Sequence, residues 1–434
     1  MTLTSSDAAL RILFVTLEFE AGAFSGNGIY AQSQVSALAL AGHRVHVLSG
    51  RPARNDEELV HKHDGGVGPG AGVDVGAGDG SEHTGVGVTV TALVLPRATW
   101  GRLDVACGWR QFRHLAGSSP GLTAAVTAFA PHVVLGVDWS SLPAWNALRS
   151  TLETPLSTRL TSPTNRITPP PFVYSNFRVF TRTDPAHEAL ESQAVEAAAA
   201  VVALCPVDAQ YITEKLSPRE AAVAPEVVLP PLRHDIRRLA MTAAATATAT
   251  TAEPSATCTT VSAVSAAPAL CIAVPTLTGD VGVDTSPPPP PPPPPHAVMT
   301  KPWRRHLAPS SSAPPRRVFL TCCVRLSPEK EPERYVELVE ELARRGVVGP
   351  RAGGAVVPLL CASTGGTYAQ SLKARFAAAA GPHGGVVVEE FLDAAALGEI
   401  YAASLLNVHP CSHDAYGMTV VEAAAFGTPS AVQG

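Results

Sequence analysis

Short apolar runs bounded by glycine, proline or polar clusters recur along the chain, and several are followed by longer stretches with helical spacing of apolar positions. Arg11 to Leu17 (RILFVTL) reads as a strand, Glu18 to Asn27 as a loop that brings in Gly22, Gly26 and Gly28, and Ile29 to Ala41 as a helix closed by Gly42 before a second strand, RVHVLS. Pro131 to Asp138 (PHVVLGVD) and Pro171 to Asn176 (PFVYSN) read as buried strands with polar ends, and Glu188 to Leu204 as a helix running into a strand. Arg317 to Cys323 (RVFLTCC) is a further buried strand, followed by the loop VRLSPEKEP and a helix over Glu331 to Arg345. In that helix Pro332 lies in the first turn and Gly346 follows the last, the asymmetry helix ends favour. The final unit is a strand from Leu405 (LLNVH), a tight turn, and a helix from about Tyr416 to Phe426 that stops at Gly427 with Pro429 just beyond. Strands alternating with helices in this way predict an α/β fold with parallel sheets.

Two low-complexity stretches interrupt the pattern. Residues 65–87 are glycine-rich, with too little apolar surface to offset ordering, and read as a flexible surface loop between strands. Residues 241–315 carry an Ala/Thr tract (Thr242 to Thr251), a proline run (Pro287 to Pro295) and a Pro/Ser patch, and read as a linker with polyproline stiffness. Docking of a Pro-binding domain is the other use of such a run. The linker separates a first domain of residues 8–240 from a second of 316–434.

The chain has 434 residues, 46% of them hydrophobic, enough for two cores. Net charge is -5, so no global basic field exists to hold nucleic acid or an anionic membrane. The 8 cysteines are scattered without a C-x-x-C pair, which points to a reducing compartment, the cytoplasm, and to no zinc motif. The first apolar run is short, carries Glu18 and fits a strand better than a signal peptide. No segment reaches the roughly 18 to 20 uncharged apolar residues of a membrane span, which leaves peripheral membrane contact open.

Candidate chemistry concentrates in HPCSHDAYGMTVVEAAAFGTPSAVQG, His409 to Gly434, where two carboxylates, Asp414 and Glu422, flank a glycine that opens a helix. The first N–H groups of that helix, near Gly417, Met418 and Thr419, suit a phosphate, because unsatisfied donors and the positive end of the helix dipole favour an anion. A carboxylate at Glu422 suits vicinal hydroxyls such as those of a ribose, and Asp414 a sugar attached to the phosphate. The plainer reading makes Asp414 a helix N-cap and Glu422 a solvated side chain. Arg325 and Lys330 lie in the loop beyond the carboxyl end of a strand, where open α/β sheets bind ligands, and two cations there can neutralise a diphosphate.

The residues RLSPEK (Arg325 to Lys330) and DAYGMTVVE (Asp414 to Glu422), followed by AAAFGTP, resemble the retaining glycosyltransferases of family 4. Members carry two glutamates separated by seven residues, so Asp414 fills the first position one methylene short. The resemblance implies the GT-B fold, two Rossmann-like domains facing across a cleft, with the acceptor side in the first domain and a nucleotide-diphosphate sugar donor on the second. It implies that Arg325 and Lys330 bind the donor diphosphate, Glu422 the ribose and Asp414 the transferred sugar, with no metal and no cofactor. Gly26 and Gly28 then belong to the glycine-rich loop of the family, although a turn that only needs positive φ also fits them. Asp138, Asn176 and Arg178 are candidates for the wall facing an acceptor, be it a glycan, a lipid or a small molecule. No histidine matches the one many members place at the cleft; His132 begins a strand and is not assigned. Members also continue beyond the point where this chain ends, so the second domain is expected to be incomplete at its C-terminus. Two rival readings are a catalytically impaired nucleotide-sugar-binding protein and a related nucleotide-sugar epimerase or phosphorylase.

Overall fold

Strand β1 (Arg11–Glu18) is buried at every position after its first, the pattern of a strand covered on both faces rather than one alternating between core and water. The computed structural model describes residues 9–19, 26–53, 73–76, 87–96, 108–153, 169–182, 184–217, 224–251, 301, 303–304, 318–348, 356–362, 365–381, 384–412, 414 and 416–433. The chain divides into two compact units, Met1–His234 and Asp235–Gly434.

In the first unit β1 pairs in parallel with β2 (Arg44–Pro52) on one side and β5 (Val133–Val137) on the other, with Ile12 opposite Val45 and Val133. Outward from β2 lie β4 (Val88–Leu95) and β3 (Val73–Gly76); outward from β5 lie β6 (Phe172–Asn176), β7 (Ala200–Ala203) and β8 (Glu226–Val227). Every pairing is parallel except β3 with β4. The expected loop at residues 65–87 thus contains a short edge strand; 65–72 and 77–86 lie outside the described residues.

Helix α1 (Gly26–Leu40) follows β1, α2 (Trp109–Ser118) and α3 (Pro120–Phe129) precede β5, and α4 (Ser141–Glu153) follows it. Helices α5 (Glu188–Ala197) and α6 (Pro206–Tyr211) flank β7. Trp109, Trp139 and Trp145 fill the core, Trp109 and Trp139 edge to face with ring centroids 5.7 Å apart. A Cβ at Gly136 would lie 2.4 Å from Ser141 Oγ and 2.5 Å from the Phe172 ring, so β5 must be bare there for α4 and β6 to close on it.

Gly26 and Gly28 belong to the first turn of α1, not to a loop; Gly22 lies outside the described residues. Gly26 has a packing reason, since a Cβ there would stand 3.1 Å from the Phe177 ring.

The second unit opens with α7 (His234–Thr251), so the Ala/Thr tract continues a helix instead of starting a linker, in keeping with the high helix propensity of alanine. Residues 252–300 lie outside the described ones, the proline run among them. Trp303, inside the expected linker, is fully buried, and its indole N–H and the Arg304 guanidinium both reach Glu399 on α10 (Ala394–Ala402).

Five parallel strands follow in the order β11 (Val386–Val388), β10 (Val357–Cys361), β9 (Phe319–Cys322), β12 (Ser404–His409), β13 (Ser430–Val432). Tyr335 on α8 (Glu333–Arg344) is buried against β9 and β10; its hydroxyl donates to Leu320 O at 2.6 Å and accepts from Leu359 N at 3.1 Å. Phe376 on α9 (Thr367–Ala380) stacks on the same ring. Helix α11 (Met418–Ala425) links β12 to β13. Both units are therefore parallel-sheet α/β domains, the second smaller. In each, the strand order reverses at the first strand of the sheet's sequence, between β1 and β5 and between β9 and β12, where open sheets of this kind place ligands beyond their carboxyl ends. No helix among the described residues is long and apolar enough to cross a membrane.

Candidate functional site

Two loops leave the carboxyl ends of β9 and β12 at the reversal in the second unit. The first makes a short turn at Pro328–Lys330, takes Glu331 into the left-handed region (φ 47°), and enters α8 two residues later than the sequence pattern suggests. Within it the Arg325 guanidinium donates to Glu329 Oε1 at 2.5 Å and to Ser327 Oγ at 3.2 Å. The second loop runs from His409 to Gly417, whose φ of 70° turns the chain into α11.

Side chains stitch the two loops together. Lys330 Nζ lies 2.8 Å from Asp414 Oδ1, His409 Nε2 lies 3.0 Å from Asp414 Oδ2, and His409 Nδ1 is 3.0 Å from Thr419 Oγ1. The Cys411 thiol points at Lys330 O from 3.4 Å, and Ser412 bonds Glu331. Burial pushes the Asp414 carboxyl up, but the His409 contact and the Lys330 ammonium outweigh it and hold the group well below the usual carboxylate range.

This corrects the plainer readings of both acids. Gly417, not Asp414, occupies the N-cap of α11, and no side chain caps that helix. Asp414 spends its oxygens on Lys330 and His409 instead. Glu422 is 4% exposed, on the inner side of α11, where its charge adds to the burial that pushes the Tyr401 hydroxyl up. Because α11 starts at Met418, the N–H groups of Met418 and Thr419, with no backbone or capping acceptor among the described residues, are the ones left to an anion. Four of the expected residues, Arg325, Lys330, Asp414 and Glu422, thus sit on the two loops and the helix at one strand reversal. His409 was passed over; its signal is its place as the last residue of a buried strand next to the turn that carries Asp414.

The first unit assembles its own polar group at the corresponding place. Asp138 follows β5 with φ 59°, and its carboxylate accepts from Asn27 Nδ2 at 2.6 Å and from Phe177 N at 3.1 Å, while Ser141 Oγ donates to its carbonyl. Burial, strengthened by nearby Glu191 and opposed by the Phe177 N–H and Arg178, pushes the Asp138 pKa up to about 8. Asn176 is fully buried and donates to Tyr174 Oη at 3.0 Å, and Arg178 lies 4.5 Å over the Phe180 ring. Asp138 and Asn176 therefore shape the end of the sheet from beneath its surface. His187, unassigned from the sequence, is buried against Trp139 and Phe180.

Residues 25–231 match the model of the glycosyl transferase 4-like domain, and residues 305–432 match that of the glycosyl transferases group 1. The chain belongs to the glycosyltransferases. No curated protein matches its sequence. Among solved structures this glycosyltransferase is similar to the sucrose-phosphate synthase of Thermosynechococcus elongatus (TM-score 0.56, 14% identity, 98% of this chain and 81% of that one). It is also similar to an E. coli trehalose-6-phosphate structure bound with UDP-2-fluoro glucose (TM-score 0.55, 12% identity, 97% and 83%). A third is the UDP-forming α,α-trehalose-phosphate synthase of Burkholderia xenovorans in complex with glucose-6-phosphate (TM-score 0.55, 10% identity, 98% and 85%). At these identities the likeness is one of fold, and it places the glycosyltransferase among proteins with the GT-B architecture.

Proposed function

We propose that this glycosyltransferase moves a sugar from a nucleotide-diphosphate sugar to an acceptor with retention of anomeric configuration, using the second unit as its donor site. The observation that carries the reading is the Lys330–Asp414 pair at the strand reversal, beside the N–H groups that open α11. A diphosphate takes Lys330 from Asp414 and Arg325 from Glu329, and adds the Met418 and Thr419 N–H groups; an anion that replaces a carboxylate keeps each cation paired. Asp414, released from Lys330, is then an acceptor for hydroxyls of the transferred sugar, and Glu422 serves the ribose. As the bond from the anomeric carbon to the phosphate oxygen breaks, charge gathers on that oxygen, and the same cations and N–H groups stabilise it. The acceptor hydroxyl oxygen bonds to the face that the diphosphate leaves, and its proton passes to the departing phosphate oxygen. No metal or cofactor enters this reading.

UDP-sugars and a sugar phosphate acceptor are the first substrates to try, since the structural neighbours hold UDP-2-fluoro glucose and glucose-6-phosphate. In the first unit, Gly26, Gly28, Asp138, Asn176 and Arg178 would shape the acceptor side. The thiols of Cys205, Cys322, Cys323, Cys361 and Cys411 are free, which suits the cytoplasm.

Calorimetry with UDP tests the donor site. Arg325→Ala and Lys330→Ala should each weaken binding by about 1.5 to 3 kcal/mol, roughly tenfold to a hundredfold. Unchanged affinity in both variants removes the assignment, and the anomeric configuration of any product, read by NMR, decides retention. A second reading, a donor-binding protein with impaired catalysis, is favoured by one observation: the short Asp414 side chain is engaged at both oxygens. UDP binding without turnover of any donor would select it.

A further inference from the structure

We propose that His409, Cys411 and Asp414 form a binding site for a thiophilic divalent transition metal ion of the zinc type. One ligand atom from each, the imidazole nitrogen, the thiol sulfur and a carboxylate oxygen, lie within 4.8 Å of one another. His409 Nε2 and Asp414 Oδ2 are 3.0 Å apart, close to the roughly 3.3 Å that separates two ligand atoms each about 2.0 to 2.1 Å from a tetrahedral ion. In the absence of an ion the imidazole nitrogen faces that carboxylate oxygen directly. His409 Nδ1 faces Thr419 Oγ1 at 3.0 Å, and an imidazole that donates its Nδ1–H to such a partner presents Nε2 as a bare lone pair, the arrangement metal-bound histidines use.

The donor set selects the ion. Nitrogen, sulfur and a single carboxylate suit zinc and its neighbours, whereas magnesium and calcium take oxygen ligands. Three protein ligands leave a fourth tetrahedral position open. The sequence hides the site because its spacing, H-x-C-x-x-D across a strand end and a turn, is not that of a zinc finger or ribbon. Binding exchanges the thiol proton of Cys411 for the ion, so one proton is released per metal bound. Cys411 must also turn from Lys330 O, to which its thiol now points from 3.4 Å. Lys330 and the ion divide the carboxylate, Oδ1 to the ammonium and Oδ2 to the metal. On the reading of Asp414 as the contact to the transferred sugar, an occupied metal site withdraws that contact and suppresses transfer.

The test is a titration of the purified full chain with Co²⁺ alone, followed by absorbance. Tetrahedral cobalt with a thiolate ligand gives visible d–d bands and a near-ultraviolet sulfur-to-cobalt charge-transfer band, and both should appear with one equivalent and vanish on adding Zn²⁺. Cys411→Ser should abolish the charge-transfer band, and His409→Gln and Asp414→Asn should each weaken Co²⁺ binding tenfold or more. Because the three substitutions lie at different points of the loop, a variant that fails to fold, seen by circular dichroism, leaves the other two to decide. Absence of the charge-transfer band in the wild type, or its survival in Cys411→Ser, overturns the site; survival would move the ion to the cysteines at the ends of β9 and β10. A parallel UDP titration with and without Zn²⁺ reads the link to donor binding. Cobalt bands with no effect of Zn²⁺ on transfer or UDP binding overturn the link, and cobalt bands in a chain that binds no UDP leave the site standing while the donor reading falls.

Discussion

The two sheets each place an aspartate just beyond the strand where their order reverses, and they treat it in opposite ways. Asp138, after β5, is 2% exposed and held by an amide, a backbone N–H and its own turn; burial moves it toward the neutral acid, with a pKa up to about 8. Asp414, after β12, is also partly withdrawn from water, yet it is held well below the usual carboxylate range. Desolvation acts on both in the same direction. What separates them is the partner in contact: His409 at 3.0 Å and the Lys330 ammonium at 2.8 Å on the two oxygens of Asp414, against backbone N–H groups of Phe177 and Arg178 and the Arg178 charge on Asp138. Equivalent places in two related sheets thus supply a buried carboxyl that ties β5 to β6 and α1, and a carboxylate held in an ion pair.

Asp138→Asn should break the comparison most visibly, through pH. The folded pKa of Asp138 is raised from 3.8 to about 8, so its favourable contribution is fully present below the unfolded value and is lost as pH rises through the folded one. At about 1.4 kcal/mol per unit, the loss amounts to at most about 6 kcal/mol across that interval. Asn cannot ionise and tolerates the left-handed conformation, and the Asn27 amide can turn to accept from it. Urea unfolding from pH 4 to 9, followed by the fluorescence of Trp109, Trp139 and Trp145 in the first unit, should give a flatter profile in the variant and a more stable variant above pH 8. Equal slopes in the two proteins would show that Asp138 is ionised throughout, and the contrast with Asp414 would disappear.

A smaller effect separates the turns that present the two acids. Asp138 itself takes the left-handed conformation, φ 59°, whereas the loop of Asp414 leaves that task to Gly417, φ 70°. A Cβ at Gly417 would meet Val420 Cγ2 at 3.4 Å and His409 Nε2 at 3.8 Å, ordinary contacts, so the penalty of a substitution is conformational. Gly417→Ala should destabilise the second unit by about 1 to 2 kcal/mol, and Gly417→Asn by less, because Asn visits that region routinely. Thermal or urea unfolding of the second unit checks both. A neutral Ala variant would mean that the loop does not depend on the glycine, and that the two turns differ by accident of sequence.

Much of this contrast could be read before the fold was known. The apolar runs at Arg11, Pro131, Arg317 and Leu405 became parallel strands, and RLSPEK and DAYGMTVVE fell at carboxyl ends as their place after those runs implied. The partner of Asp414 could not be read in the same way, because the Lys330 contact needs β9 and β12 to be neighbours, and strand order is set by crossover packing rather than by local pattern. Helix starts misled in both directions, α1 beginning before and α8 and α11 after the expected residue. Gly26 and Gly28 look like loop residues, yet α1 begins with them, and Phe177 packs where a Gly26 side chain would be. Low complexity misled too, since the Ala/Thr tract extends a helix and Trp303, an isolated aromatic in a Pro-rich stretch, buries its ring beside Glu399. Composition reports the average of a segment, and one buried indole is enough to anchor it.

The smallest change sharpens which cation decides the state of Asp414. Thr419→Val removes the hydroxyl that faces His409 Nδ1 at 3.0 Å and keeps the branched shape of the side chain. Losing one such hydrogen bond should lower the stability of the second unit by about 0.5 to 1.5 kcal/mol. His409, buried and without that contact, is then free to turn from Asp414, but Lys330 still holds Oδ1. If Lys330 is what keeps Asp414 ionised, UDP affinity should shift by less than about threefold, well short of the loss expected for Lys330→Ala. Calorimetry on the two variants side by side settles the order. A Thr419→Val loss as large as that of Lys330→Ala would make the oriented His409 the deciding contact, and the pair proposed to yield to a diphosphate would have to be rewritten as His409–Asp414.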